Sequence, residues 1–555
     1  MSAFRRRVAI AVCLIFPCLP LFACSHPEPF AMNDRLIKQT PNGKLRGVWA
    51  DANQGIHVFR GVPFAKPPVC ELRWRPPAPL DPWSGIKSAE TFSAACYQAF
   101  SDDAFVWSRG EFARSEDCLY LNIWASAEHS EPLPVMIWFH GGAHTGGFAH
   151  VELFDGTELA RKGVLVVTVN YRLGPWGFLA HPLFSAESDH NSSGNYGLLD
   201  KIAALEWVRD NIRDFGGDPS NVTIFGQSAG SMSVCALMAS PLSQGLFHKA
   251  IGQSAACLNR HSQDPNGEER GLRLTDCLLP SKTKLKASDL RALSNDALLA
   301  AATSSGWDQG GGLITVDGWV LPSAPVNVFA AGKQAQVPVL LGSLANEGIE
   351  LLPLNAELSL SDYDANLRQR FGDLAAEIKE AYKVELNDSP GIAERSINAD
   401  LFIALPMRQW AGFQTAIQQP SYLYFMDYVP PAYQIYRTDR PDLALPDGPR
   451  SAGAYHSGEL AFVFNNVGQT GNFWQLDDFT MADRIANYWT QFAKTGDPNS
   501  RSAPGWGPYR AENQNTMLLN ISGSEVHGAL RKKMDLLERY VLRRGVVAKE
   551  STPEQ

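Results

Sequence analysis

The chain has 555 residues, of which 45% are hydrophobic, 10% aromatic and 19% charged, and its formal net charge at pH 7 is −9. This composition is typical of a protein with a large packed core, and it excludes a mostly disordered chain, collagen and a coiled coil. The net negative charge argues against a nucleic-acid-binding protein, because affinity for nucleic acid depends on cations that neutralise phosphates.

The N-terminus has the pattern of an export signal. Three arginines at positions 5–7 precede an apolar stretch, residues 8–22, which is too short to span a membrane. Leu21-Phe22-Ala23-Cys24 resembles a bacterial lipobox, so the sequence leaves open whether Cys24 is lipidated or the signal is simply removed. Either outcome predicts an exported protein, periplasmic, outer-membrane-bound or secreted, that touches a membrane only through a lipid on Cys24.

The cysteines after the signal are able to form disulfides, because an exported chain reaches an oxidising compartment. They are Cys70, Cys96, Cys118, Cys235, Cys257 and Cys277. None of them forms a Cys/His pattern with the spacing of a zinc site. The sequence therefore predicts no metal and no other cofactor.

Short apolar runs rich in β-branched residues predict buried strands. These runs are Val135–Phe139, Val164–Asn170, Val222–Phe225, Lys249–Gln253, Val337–Leu341 and Tyr422–Phe425. Between them, apolar residues from Leu198 to Phe215 recur every three or four positions, which predicts a helix that ends at Gly216-Gly217-Asp218-Pro219. Strands that alternate with helices indicate an α/β fold with a mostly parallel sheet, in which ligands bind beyond the carboxyl ends of the strands.

A nucleophile motif follows one of these strands. Gly226-Gln227-Ser228-Ala229-Gly230 lies between the run that ends at Phe225 and a helical run over Ser231–Met238. A sharp strand-to-helix turn exposes the serine oxygen above the helix N-terminus, and only small flanking residues allow the two elements to come so close. A near-copy, Gly252-Gln253-Ser254-Ala255-Ala256, lacks the second glycine and a following helix, so Ser254 is predicted to be structural.

A serine nucleophile needs a base and an acid that orients the base. In hydrolases with this turn the chain order is serine, acid, histidine. Glu347 follows the predicted strand Val337–Leu341, and only His456 and His527 come later in the chain among the histidines. His456 lies in a loop before an apolar segment, whereas His527 adjoins a C-terminal helix, so the pattern favours His456 and leaves His527 as the alternative.

A second loop of small residues completes the candidate site. His140-Gly141-Gly142-Ala143 follows the predicted strand Val135–Phe139. Small residues at a strand end allow backbone N–H groups to approach a substrate carbonyl, as an oxyanion hole requires. A tight turn without function is the alternative interpretation, and the serine motif downstream makes it the weaker one.

Together these motifs resemble the type-B carboxylesterase family, the cholinesterase-like branch of the α/β-hydrolases, from about Leu36 to Tyr540. Further matching blocks are Phe59–Ala65, Ser115–Asn122, Asn170–Gly174 and Trp489–Asn499. The resemblance implies an α/β-hydrolase fold: a mostly parallel central sheet flanked by helices, with long insertions that form a gorge or lid. The expected organisation is a signal peptide over 1–23, a short linker over 24–34, one such domain over 35–545 and a flexible tail over 546–555.

The resemblance also assigns roles to residues. It implies a catalytic triad of Ser228, Glu347 and His456. It implies oxyanion-hole amides at Gly142, Ala143 and Ala229. Cys96–Cys118 matches the family's first disulfide, and Cys257–Cys277 is the candidate second one. Two pairs, Arg73 with Glu116 and Arg172 with Asp200, match structural ion pairs of the family.

Departures from the family pattern bear on the substrate. The residue before the nucleophile is usually glutamate, and Gln227 removes that negative charge, which disfavours cationic choline esters. Trp107 and His144 are candidate pocket residues, although His144 is equally well explained as a packed side chain. Gly310–Gly312 stands where cholinesterases carry aromatic acyl-pocket residues, and Leu351 offers an aliphatic surface nearby, so a wider acyl pocket or a more mobile loop is expected. The alternative is that Gly310–Gly312 is a surface turn and that other side chains fill the pocket.

The sequence thus predicts a serine carboxylic-ester hydrolase that acts through an acyl-enzyme on small, uncharged esters with medium-length or bulky acyl groups. A non-catalytic binding protein is the rival, because the family contains such members, but those have typically lost a triad residue. The same machinery cleaves amides, carbamates and polyesters, which the triad does not distinguish from esters. The sequence gives no indication of the oligomeric state.

Overall fold

The computed structural model describes residues 35–544 except for 102–104, 259–266, 280–283, 308–312, 350, 438–442, 444, 470, 472 and 502. The predicted signal peptide, Cys24, the linker and the tail therefore lie outside the described residues. The glycine run at 310–312 lies outside them as well.

The described residues form sixteen strands. They are β1 (Ile37–Thr40), β2 (Gly43–Arg46), β3 (Val48–Asp51), β4 (Ile56–Pro63), β5 (Ile86–Ser88), β6 (Ala95–Cys96), β7 (Arg114–Ser115), β8 (Tyr120–Ser126), β9 (Leu133–Phe139), β10 (Leu165–Val169), β11 (Gly217–Gln227), β12 (Lys249–Gln253), β13 (Val339–Leu344), β14 (Ser421–Met426), β15 (Asn515–Leu519) and β16 (Ser524–His527). Eleven of them form one sheet in the order β16-β15-β14-β13-β12-β11-β9-β10-β8-β4-β3. The strands from β15 to β10 in that order pair in parallel, and antiparallel strands flank them at both edges.

Seventeen α-helices surround the sheet in the described part of the chain. They are α1 (Thr157–Arg161), α2 (Gly174–Phe178), α3 (Pro182–Ser185), α4 (Tyr196–Asn211), α5 (Ala229–Ala239), α6 (Gly267–Leu278), α7 (Ala287–Arg291), α8 (Asn295–Ser304), α9 (Pro325–Ala330), α10 (Leu360–Phe371), α11 (Ala375–Ala381), α12 (Lys383–Asp388), α13 (Pro390–Ala399), α14 (Leu405–Ala416), α15 (Leu460–Val463), α16 (Leu476–Thr495) and α17 (Arg531–Arg543). None of the helices in this part of the chain is long and apolar enough to cross a lipid bilayer.

The predicted α/β-hydrolase architecture is confirmed, because the large sheet is mostly parallel and has helices packed against it. All six predicted strands are present, although β13 begins two residues later than predicted. The predicted helix over Leu198–Phe215 is α4 followed by a 3₁₀ turn at Ile212–Phe215 that ends at Gly216 in the left-handed region, with φ of 93°. Helix α4 is buried on nearly all sides because it packs against β11, α2 and α5.

Three strand ends meet where the candidate site was expected. Strands β9, β11 and β13 end at Phe139, Gln227 and Leu344, and only β12 lies between the last two strands in the sheet. Because the carboxyl ends of parallel strands lie at one edge, the loops that follow them converge. The glycine-rich loop, the serine turn and the Glu347 segment are these loops.

Two disulfides join described residues. The predicted Cys96–Cys118 bond is present, with the two Cα atoms 5.0 Å apart. The predicted Cys257–Cys277 bond is wrong: Cys257 is bonded to Cys235, whose Cα lies 5.6 Å away, and Cys277 is an exposed free thiol on α6. Cys235 lies inside α5, which packs against β12, so the segment after β12 brings Cys257 directly to it. Two disulfides are typical of proteins from oxidising compartments.

We expect removal of the Cys235–Cys257 bond, in a double Cys→Ser variant, to lower the free energy of unfolding by about 2–4 kcal/mol in urea titration. Cys277→Ser is the matched control and should change it by less than about 0.5 kcal/mol, because that side chain is exposed and unbonded. Mass spectrometry of a non-reduced digest should find a peptide that joins Cys235 to Cys257. A peptide joining Cys257 to Cys277 would contradict the assignment.

Candidate active site

Ser228 occupies the sharp turn between β11 and α5. Its backbone has φ of 55° and ψ of −124°, a strained conformation for a residue with a side chain. The two motif glycines explain how the turn is possible: a Cβ at Gly230 would collide with the carbonyl oxygen of Phe139, and one at Gly226 would collide with Gly230. The predicted strand–turn–helix context of Ser228 is therefore present, and the turn holds the serine at the N-terminus of α5.

The near-copy of this motif differs in its surroundings. Ser254 has a similar φ of 56°, but it is completely buried, and its amide donates to the carbonyl of Gly342 at 2.9 Å. Ser228 by contrast lines an open cavity. Ser254 therefore has a structural position, as predicted.

Glu347 and His456 are brought together from loops that are more than a hundred residues apart in the chain. His456 Nδ1 lies 2.6 Å from Glu347 Oε2, and both side chains are buried. The other oxygen, Oε1, accepts a hydrogen bond from the amide of Leu344 at 2.8 Å. The loops are themselves bonded, since the amide of Asn346 donates to the carbonyl of Ala454 at 3.0 Å. His527, the alternative base, is exposed at the end of β16 and does not line the cavity of Ser228.

The second nitrogen of His456 contacts Gln227. Because Nδ1 faces a carboxylate and carries the proton, Nε2 is an acceptor, and the Gln227 side-chain amide is placed 3.0 Å from it. Gln227 is buried against Gly141, where a Cβ would collide with both its backbone carbonyl and its side-chain oxygen. The residue before the serine thus holds the imidazole from the side opposite to Glu347.

A second acid, Glu459, lies in the same region and was missed by the sequence analysis. It is completely buried, and its Oε1 accepts a hydrogen bond from Gln253 Nε2 at 3.1 Å. Burial, together with the negative charge of Glu347, raises the pKa of Glu459 to about 7. The only sequence signal is its position three residues after His456, which by itself does not distinguish a buried acid from a surface one.

The glycine-rich loop has the conformation that an oxyanion hole needs. Gly142 and Ala143 have φ of 106° and 54°, and both line the cavity beside Ser228. The carbonyl of Gly142 accepts from the amides of Thr145 and Gly146 at 2.9 and 3.0 Å, so the loop folds back on itself. Ala229 is the first residue of α5, and the amides of a first helical turn have no intrahelical acceptor. Gly142, Ala143 and Ala229 remain the predicted donors of the oxyanion hole.

His144 does not line the cavity, so its prediction as a pocket residue is wrong. Its ring is buried behind the loop, where Nε2 lies 3.0 Å from Ser233 Oγ and the ring packs 4.9 Å from that of Phe178. Burial lowers the pKa of His144 well below its usual value. The left-handed turn at Ala143 and His144 places this side chain in the core, and the alternative of a packed histidine is the correct one.

The cavity above Ser228 has a volume of about 200 Å³. Three predicted pocket residues, Trp107, Gln227 and Leu351, line it. The Trp107 ring stands 5.9 Å from the ring of His456, and its Nε1 donates to Ser457 Oγ at 3.3 Å. Seven further lining residues were not predicted from the sequence: Arg109, Thr145, Phe154, Ile435, Tyr436, Ser457 and Leu460. In the described part of the chain no cluster of His, Cys, Asp and Glu is placed to hold a metal ion.

Comparisons with known proteins find similarity to carboxylesterases in both sequence and fold. Residues 34–536 match the model of the Carboxylesterase family. A fumonisin B1 esterase from Sphingopyxis macrogoltabida is 35% identical over 85% of this chain and 84% of its own. A para-nitrobenzyl esterase from Bacillus subtilis is 34% identical over 87% and 94%. The solved structure of a carboxylesterase from Geobacillus stearothermophilus, 30% identical, superposes with a TM-score of 0.77 over 90% of this chain and 100% of that one.

We expect Gln227→Glu to move the acid limb of the kcat/KM profile upward by about one pH unit or more. A carboxylate 3 Å from the imidazole would favour the protonated ring, so the free base would be lost at a higher pH. Profiles of p-nitrophenyl butyrate hydrolysis between pH 5 and 9 measure this. Gln227→Leu is the matched control, because it also removes the amide but adds no charge. An equal displacement of the limb in both variants would contradict the electrostatic explanation.

Proposed function

The chain belongs to the carboxylesterase family and hydrolyses carboxylic esters, and we propose that it does so through an acyl-enzyme formed on Ser228. One observation carries the proposal. The His456 side chain, which is paired with Glu347 at 2.6 Å, lines the same cavity as the strained Ser228 turn. Gly142 and Ala143 of the glycine-rich loop line that cavity as well, which supports them as donors of oxyanion-hole amides.

In the proposed reaction Ser228 Oγ attacks the ester carbonyl carbon while its proton passes to His456 Nε2. Gln227 occupies that nitrogen in the resting structure, so its amide has to turn away as the serine proton arrives. Glu347 stabilises the imidazolium that forms, and the amides of Gly142, Ala143 and Ala229 stabilise the negative carbonyl oxygen. Collapse of the intermediate breaks the ester bond, and His456 returns the proton to the departing alcohol.

Deacylation repeats these steps with water as the nucleophile. His456 takes a proton from the water, whose oxygen attacks the acyl carbon of the Ser228 ester. The second tetrahedral intermediate occupies the same oxyanion hole. Its collapse releases the carboxylic acid and restores the serine hydroxyl with the proton held by His456, so the enzyme is unchanged after one turnover.

We predict that Ser228→Ala lowers kcat for p-nitrophenyl butyrate by about 10⁴-fold or more. A fluorophosphonate probe should label the wild-type protein at Ser228 and leave the variant unlabelled. Ser254→Ala is the matched control, since this serine stands in a similar turn but lies outside the cavity. Wild-type turnover without an adduct at Ser228 would contradict the mechanism, and absence of both would favour a binding protein.

The cavity supports esters with medium-length acyl groups. Phe154, Ile435, Leu351 and Leu460 give it a largely apolar wall, and Leu351 lies where the sequence predicted an aliphatic surface. Each acyl methylene that is buried there contributes about 0.8 kcal/mol. Uncharged esters can bind against such an apolar wall without the free-energy cost of removing a charge from water.

We therefore expect kcat/KM to rise from acetyl to butyryl and hexanoyl p-nitrophenyl esters, by about four-fold per buried methylene at most. Leu351→Trp should reduce the hexanoyl rate more than the acetyl rate, because the larger ring fills the space. Leu354→Trp is the matched control, since Leu354 is exposed and does not line the cavity. A steep preference for acetyl esters in the wild type would show that the cavity holds no long acyl chain.

We also propose that the protein is exported. The arginine-led apolar N-terminus and the lipobox-like residues before Cys24 support a precursor that is processed near position 24. Mass spectrometry of the mature protein from its native host should find an N-terminus at or shortly after Cys24. An intact Met1 would contradict export, and a soluble Cys24→Ser variant of a membrane-bound protein would establish lipidation.

A further inference from the structure

The cavity above Ser228 contains a permanent cation. Arg109 lines it, His456 is the other ionisable side chain with a basic nitrogen there, and no Asp or Glu of the described residues is among the lining residues. Gln227 is neutral at the position where the family usually has a glutamate. We propose that Arg109 is a specificity-determining residue which binds a carboxylate carried by the ester substrate. The inference rests on the proposed esterase function and adds a substrate class to it.

The backbone of Arg109 is held in place. Its amide donates to the carbonyl of Ser101 at 2.6 Å, and its carbonyl accepts from the amide of Ser101 at 2.7 Å, which forms an antiparallel bridge. Trp107, two residues earlier, lines the same cavity and packs against His456. The segment that supplies Arg109 is therefore part of the wall that also orients the base.

The guanidinium lies against the glycine-rich loop. Position 146 has no side chain, and a Cβ there would collide with the Arg109 guanidinium, so Gly146 makes the space that this group occupies. The amide of Gly146 donates to the carbonyl of Gly142, whose own amide belongs to the proposed oxyanion hole. The cation is thus connected to the oxyanion loop through two residues, on the side of the cavity where Thr145 is exposed to substrate.

The positive charge of Arg109 affects the pKa values of two nearby residues, Tyr436 and His140. Tyr436 also lines the cavity, and burial raises the pKa of this phenol to about 12, while the positive charge of Arg109 partly opposes the rise. Behind the loop, burial lowers the pKa of His140 to about 3, and Arg109, Lys201 and His150 add to that effect. Tyr436 and His140 are therefore both neutral at pH 7.

A carboxylate is the ligand that this arrangement fits. The guanidinium is planar, keeps its charge at every working pH and presents five N–H donors, so it can engage protein groups and still bind a carboxylate with two parallel hydrogen bonds. The largely apolar wall strengthens such a pair, because it lowers the local dielectric constant. A cationic ester would be repelled by the guanidinium of Arg109. An uncharged ester would bind without repulsion and would lack only the carboxylate–guanidinium pair. Uncharged esters are thus accepted, and esters with a carboxylate are preferred.

Matched ester pairs test the proposal. Mono(4-nitrophenyl) adipate is compared with its methyl diester, which places the charge in the acyl part. 4-Butanoyloxybenzoate is compared with 4-butanoyloxybenzamide, which places it in the alcohol part. We expect the ratio of kcat/KM, charged over neutral, to be about tenfold or more in at least one pair, mainly through KM. Raising KCl from about 0.01 to about 0.5 M should lower the ratio, since salt screens charge pairs.

Variants identify the residue responsible. Arg109→Gln should bring the ratio close to one. Arg109→Lys should retain part of the preference, because an ammonium keeps the positive charge but lacks the two parallel N–H donors of the guanidinium. Arg209→Gln is the control for net charge, since Arg209 is exposed on α4 and pairs with Asp210. It should leave the ratio unchanged. The ratio, unlike the absolute rate, is insensitive to a general loss of folded protein, and circular dichroism reports folding directly.

Two results would overturn the proposal. One is a wild-type ratio near or below one in both ester pairs. The other is a high ratio that survives Arg109→Gln in folded protein. In either case Ser228-dependent hydrolysis of p-nitrophenyl butyrate would show that the esterase mechanism stands without the anion preference. If Arg109→Gln does not fold, the Arg109→Lys ratio and the salt dependence of the wild type decide the question.

Discussion

The site depends on the close approach of helix α5 to the end of β9. The first turn of α5 can lie against the carbonyl of Phe139 only because residue 230 has no side chain, and this contact forces the positive φ of Ser228. Such strain costs on the order of 1–3 kcal/mol and persists only where the surrounding structure determines it. Here the surroundings do so: α5 is buried along almost its whole length, and Ser231 Oγ donates to the carbonyl of Ala255 at 2.5 Å. The Cys235–Cys257 bond ties the same helix to the segment after β12. Ser228, the proposed nucleophile, is thus positioned by packing rather than by its own contacts.

A second constraint is the number of buried acids around His456. Glu347 accepts hydrogen bonds from both His456 and the amide of Leu344, so its negative charge is compensated where it stands. Glu459 is buried nearby with one hydrogen bond from Gln253, and Glu347 contributes to the pKa of about 7 that burial gives it. Two adjacent buried carboxylates would repel each other, and a proton on Glu459 relieves this repulsion below about pH 7. Of the two acids, Glu347 is the one that contacts His456.

Much of the site was predictable because its residues follow strand ends. Apolar runs identify buried strands, parallel strands place their carboxyl ends at one edge, and the order serine, acid, histidine then selects Ser228, Glu347 and His456. The errors come from properties that a linear pattern does not contain. Cys235 looks like a core residue of a helix, and its bond to Cys257 depends on how α5 packs against β12. The burial of His144 depends on two consecutive left-handed residues, which also turn its side chain away from the cavity.

Arg109 was missed for a related reason, because its segment enters the wall through a backbone bridge to Ser101 and not through any regular element. Its position next to the oxyanion loop also affects the free energy of the reaction intermediate. In the proposed mechanism the tetrahedral intermediate carries a negative oxygen, so a nearby cation lowers its free energy, while a glutamate at position 227 would raise it. Gln227 and Arg109 therefore act in the same direction: one removes a negative charge from the cavity and the other adds a positive one. An esterase with this balance of charge stabilises the anionic intermediate of every ester and, in addition, the ground state of an ester that is itself anionic.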